Sequence, residues 1–120
     1  METAAQVLAA LVAALHVWIM VLEMFLWQTP RGRAAFGTTA EFARESASLA
    51  ANQGLYNGFL AAGLVWSLIA ADPVGHDARI FFLVCVVVAG LYGAATASRR
   101  ILVVQALPGA VALAAALLAG

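Results

Sequence analysis

Four apolar runs, at about residues 4–27, 49–71, 79–97 and 101–119, take up most of a 120-residue chain, and each is long enough to cross a bilayer as a helix. A hydrocarbon layer offers no water to backbone N–H and C=O groups, so a segment that crosses alone must satisfy them internally, which a helix does. One longer link after the first run and two short links after the second and third make successive helices antiparallel neighbours. The expected fold is all-α, an integral membrane four-helix antiparallel bundle. It forms one domain over residues 1–120, with helices at about 4–27, 39–71, 78–97 and 101–119.

Composition agrees and narrows the function classes. Hydrophobic residues make up 65% of the chain and charged residues 10%, whereas soluble domains carry roughly 25% charged residues. The formal net charge is zero, which excludes the basic surface that a nucleic-acid partner requires. Cys85 stands alone, so it has no disulfide mate and fits no metal spacing; it reads as a packing thiol. The first run follows Glu2, with no Lys or Arg before Arg31. It also has the length of a full span, so it reads as a retained helix and not as a secretory signal.

The links carry their own signals. Thr38 with Glu41 has capping-box spacing, so a helix should begin near Thr39, run along the membrane surface through Glu41, Arg44 and Glu45, and enter the second span. Asp72, Pro73 and Gly75 stop that span, and Asp77 is the expected N-cap of the third. Ser98, Arg99 and Arg100 make a tight turn, and Pro108 should kink the fourth helix. Arg31, Arg33, Arg44, Arg99 and Arg100 fall in the links after the first and third spans, against Arg79 alone on the other side. The positive-inside rule then puts both termini outside. Small residues at Gly54, Gly58 and Ala62, and at Ala89, Gly93 and Ala97, mark faces of close helix approach.

Polar residues inside these runs are the candidates for function. Residues 22–37, LEMFLWQTPRGRAAFG, hold Glu23 in an apolar run and then break the helix; residues 51–59, ANQGLYNGF, crowd amides into the start of another run. Glu23 and His16, seven apart and so on one stripe, are the candidate acid/base pair, about 10 Å from one another along the axis. Asn52, Gln53, Tyr56 and Asn57 fall in one arc of the second span, opposite Gly54 and Gly58. Tyr92, Thr96 and Gln105 come in from the last two spans. By the topology above all but His16 lie in the cytoplasmic half, forming a polar pocket that opens toward the cytoplasm and binds a ligand. Each also has a plainer reading. Glu23 can snorkel to Arg31 or Arg33, His16 can be a packing residue, and the amides can join helices at roughly 0.6 kcal/mol per bond. The plainer readings do not explain why the group gathers at one depth, and an ionisable residue inside a membrane is by default a functional one.

The runs LEMFLWQTPRGRAAFG, ANQGLYNGFLAAGL, FFLVCVVVAGLYGA and ILVVQALPGA resemble the domain-of-unknown-function 1304 family of small four-helix bacterial inner-membrane proteins. The resemblance covers nearly the whole chain. It implies four spans and the inner membrane, and it implies no activity and no functional residues. Two further comparisons are analogies of architecture. Small multidrug-resistance transporters share length, span number and a glutamate in the first helix. The membrane-bound glutathione-using and eicosanoid-forming family shares polar residues opening the second helix, but its acid has no counterpart beside Arg44 and Asn52.

Two functions from different classes follow. One is a membrane enzyme or binding protein whose lipophilic ligand enters the pocket from the bilayer, with Glu23 as acid/base and Asn52, Asn57 and Gln105 orienting the ligand. The other is a proton-coupled carrier of a small solute working as a homo-oligomer; a structural subunit of a membrane complex is a third. No nucleophile–base pair, metal set or phosphate loop is present, so no cofactor or reaction class is implied.

Overall fold

In a computed structural model describing residues 1–97 and 99–120, every regular element is helical. Six α-helices run α1 Glu2–Met24, α2 Pro30–Phe36, α3 Ala40–Glu45, α4 Ala47–Ile69, α5 Val74–Thr96 and α6 Leu107–Ala119, with a π-helical turn Leu102–Ala106 leading into α6. Three helical stretches are long and apolar enough to cross a membrane: Glu2–Met24, Val74–Thr96 and Leu102–Ala119. Helix α4 matches them in length at 23 residues. It is not among them because Asn52, Gln53, Tyr56 and Asn57 dilute its first half.

Several boundaries differ from expectation, each for a local reason. The first helix stops at Met24 and not at 27, where Leu26 N reaches back to Val21 O at 3.2 Å. The link holds a short helix, α2, that was not anticipated. Thr29 is its N-cap, accepting from Gly32 N, with Pro30 in the first turn and Gly37 closing it at φ 66. This is the favoured pairing of Pro at the start and a left-handed Gly at the end. The expected continuous helix over 39–71 is two, α3 and α4, separated at Ser46, whose hydroxyl bonds back to Phe42 O at 2.6 Å. Thr39, one residue later than the capping box implied, caps α3 by accepting from Phe42 N at 3.1 Å. Helix α5 starts at Val74, so Asp77 lies inside its first turn; Asp72 accepts from His76 N instead, at 3.0 Å. Leu107 N bonds to Leu102 O, so the ladder has slipped to π spacing in the turn before Pro108. The Ser98 part of the tight turn lies outside the described residues.

The chain divides into two compact units, Leu15–Phe59 and Met1–Ala14 with Leu60–Gly120. The second has an apolar core of Ala5, Val12, Ala13, Leu64, Leu83, Val86, Ala112, Ala115 and Ala116. Its close helix approach on α5 uses Gly90 and, of the expected Ala89–Gly93–Ala97 stripe, Gly93 alone, where a Cβ would stand 3.2 Å from Ile101 Cδ1. Ala89 and Ala97 are exposed, whereas a Cβ on Gly90 would stand 2.9 Å from the Ala106 backbone nitrogen. Arg79, expected in an outer link, is buried in this unit. It pairs with Glu2 at 3.1 Å and donates to Ser67 O at 2.9 Å. Ser67 is in the last turn of α4, where carbonyls lack helical partners and a cation is favoured.

Candidate functional site

The other unit, Leu15–Phe59, holds Glu23. Gly54 and Gly58 of α4 lie against α1: a Cβ on Gly54 would stand 2.6 Å from Met24 Cγ and 3.1 Å from Glu23 Cβ, and one on Gly58 would stand 2.8 Å from Met20 Sδ. The GxxxG pair therefore packs helix on helix within the chain, as close approach in lipid requires. Ala62, expected to continue this face, is exposed.

That approach sets Glu23 beside Asn57, one turn after Gly54. Asn57 Nδ2 donates to Glu23 Oε1 at 2.6 Å and also reaches Gln53 O of its own helix at 3.2 Å. Asn57 thus parts from the arc expected to lie opposite the glycines and stands at the edge of the glycine face. Among the described residues no arginine pairs with Glu23, so snorkelling to Arg31 or Arg33 is not what this carboxylate does.

A cleft of about 250 Å³ opens at the end of α1, lined by Glu23, Met24, Phe25, Trp27, Gln28 and Thr29 with Ala47 of α4. Its walls are built by the helix break. Thr29 donates its hydroxyl to Leu26 O at 2.6 Å while accepting from Gly32 N, so its one donor and one of its two acceptor lone pairs are committed. Gly32 is required because a Cβ there would fall on the Leu26 carbonyl. Trp27 donates its indole N–H to Ser46 Oγ at 3.0 Å and packs on Phe36 with ring centroids 4.9 Å apart, so it is a fixed wall.

The remaining candidates lie elsewhere. His16, two turns before Glu23, is fully buried. Asn52 and Gln53 are exposed, and Tyr56, also exposed, meets Phe59 edge-on at 5.9 Å. Tyr92, Thr96 and Gln105 belong to the other unit and bond within it: Thr96 Oγ1 donates to Tyr92 O at 2.7 Å, and Gln105 Nε2 donates to Val86 O at 3.2 Å. Sequence reasoning missed Met24, Phe25, Trp27, Gln28 and Thr29 as lining residues. The signal was present in the Thr-Pro break directly after the acid, which unwinds five side chains around the helix end.

A protein from Lactococcus lactis subsp. lactis (strain IL1403), described as uncharacterized protein YpaA, is 30% identical over 101 residues, covering 82% of this chain and 84% of that protein. No solved structure matches. The family described as protein of unknown function (DUF1304) matches residues 10–117, and the chain belongs to that family.

Proposed function

We propose that this is a multi-pass protein of the bacterial inner membrane whose Glu23–Asn57 cleft binds a small or lipophilic molecule, as an enzyme or binding protein. The observation that carries the reading is the 2.6 Å bond from Asn57 Nδ2 to a carboxylate on the wall of a cleft of about 250 Å³. An acid placed in an apolar helix and held by a neutral amide is ionisable, oriented and open to a ligand. Helix α4 is the fourth span in this reading. Its 23 residues extend about 35 Å at 1.5 Å per residue, and its carboxamides and tyrosine are confined to the half nearest α3. The arginine distribution sets both termini outside and the cleft on the cytoplasmic side. Trp27, close in sequence to Arg31 and Arg33, suits the headgroup level, and the short helices α2 and α3 suit the surface beside it.

Native mass spectrometry of protein released from its own membranes tests the reading. A bound small molecule should accompany the wild type and be missing from Glu23→Gln. Protein that never carries one, in any lipid or detergent, would count against a binding function.

Exposed Asn52, Gln53 and Tyr56 on α4 favour a second reading, a proton-coupled carrier working as a homo-oligomer. Carboxamides both donate and accept, so the same face on a second copy satisfies them, and in lipid little else does. Flux of the co-purified molecule in proteoliposomes separates carriage from catalysis.

A further inference from the structure

The Glu23 cleft carries a charge that its walls do not neutralise. Glu23 is the charged side chain among the lining residues. Its Oε1 accepts from a neutral amide, and among the described residues Oε2 has no hydrogen-bond donor. The rest of the wall is aromatic and thioether, from Phe25, Trp27 and Met24. Thr29 has its donor committed and one acceptor lone pair left, so a ligand meets the Gln28 amide, Glu23 Oε2 and that single Thr29 acceptor.

These walls discriminate between classes of occupant. An anion is repelled by Glu23. A neutral molecule supplies no counter-charge, so the partly desolvated carboxylate must take up a proton to accommodate it. A hard metal cation requires six or more oxygens or its own retained waters, and one carboxylate beside aromatic rings supplies neither. A weakly hydrated ammonium on an apolar body suits every wall at once: its charge faces Oε2, and its methyl or methylene groups lie against rings whose faces attract cations. Trp27, held by Ser46 and Phe36, is one of those rings. A cleft of about 250 Å³ is below the range of roughly 300–1,000 Å³ typical of drug-sized sites, so the ligand is small.

Resting on the reading of this cleft as a small-molecule site, we propose that it selects a small lipophilic organic cation over neutral or anionic molecules of the same shape. The test is calorimetric titration of the purified protein in dodecyl maltoside with three isosteric probes: choline, 3,3-dimethylbutan-1-ol and 3,3-dimethylbutanoate. Choline should bind at least about tenfold more tightly than the alcohol, with the carboxylate weakest. Glu23→Gln should level choline and the alcohol, with an unfolding temperature no lower than the wild type's reporting that the protein is still folded. Trp27→Leu should weaken choline more than the alcohol. Equal binding of alcohol and choline in the wild type overturns cation selection and leaves the cleft standing as a binding site. Failure of all three probes while another small molecule co-purifies also overturns it, with the binding reading intact. Failure of all three with nothing co-purifying removes both.

Discussion

Gly54→Leu tests whether the approach of α1 and α4 is what holds the site together. At this position the first side-chain carbon would already stand 2.6 Å from Met24 Cγ, 3.1 Å from Glu23 Cβ and 3.2 Å from Met20 O. Gly54→Ala is the instructive partner. Its methyl meets Met24 Cγ, near the root of that side chain, and Glu23 Cβ, so the strain should outweigh the about 0.5–1 kcal/mol gained by replacing Gly in a helix and leave a small net loss. Leucine gains similar helix propensity but adds three carbons where no space exists, and overpacking costs about 1–3 kcal/mol. Forcing the helices apart also breaks the Asn57–Glu23 bond, and a bond to a charged group contributes about 1.5–3 kcal/mol. The expected loss for Gly54→Leu is thus about 2–4 kcal/mol, with the ligand lost as well. Unfolding by SDS titration in mixed micelles, followed by circular dichroism, measures it. Gly54→Leu as stable as Gly54→Ala would refute the packing argument.

Other expectations follow from the same geometry. Gly32→Ala should lower stability by about 1–3 kcal/mol, since the new methyl falls on the Leu26 carbonyl, while Thr29→Ala should cost about 0.5–2 kcal/mol for the lost cap; thermal unfolding ranks the two. Arg79 is 2% exposed and Glu2 44%, so removing the partners should be asymmetric. Glu2→Ala strands a buried cation and should cost about 2–4 kcal/mol, more than Arg79→Met, whose abandoned carboxylate can reach water; the opposite order would show that packing of the arginine stem dominates. In a Cys85→Ser background, a cysteine at His76 should react with an impermeant thiol reagent in intact cells and one at Ala97 should not. The reverse would invert the proposed orientation.

How far the sequence led differs between fold and site. All-helical structure was legible because apolar runs of span length leave no alternative for the backbone, and the GxxxG pair at Gly54 and Gly58 marked a face of close helix approach, whose partner within the chain only the structure identifies. The helix over Pro30–Phe36 was not legible, because Gly32 reads as a breaker until the Leu26 carbonyl it must clear is seen. The start of the stripe on α5 was misplaced by one residue, from Gly90 to Ala89, since small residues crowd both faces there and periodicity alone does not choose between them. For the site, Glu23 and Asn57 were both singled out, and they meet. Asn57 was nevertheless assigned to the wrong side of its helix, because grouping polar residues together ignored which of them the glycines carry inward. Tyr92, Thr96 and Gln105 were joined to Glu23 by depth alone, and depth does not specify partners; each bonds or lies within its own unit.

Glu23→Gln, measured for thermal stability and bound ligand on one preparation, tests most directly that Glu23 serves binding and not folding. The substitution keeps side-chain shape and an oxygen for Asn57 while removing a charge that no cation offsets among the described residues, so the weaker neutral hydrogen bond is balanced by the relieved desolvation of the carboxylate. The account predicts an unfolding temperature equal to the wild type or above it, as expected when a functional site holds a charge that stability alone would not keep, together with loss of the co-purified molecule. A lowered unfolding temperature with the ligand still bound would contradict it and make Glu23 a structural residue.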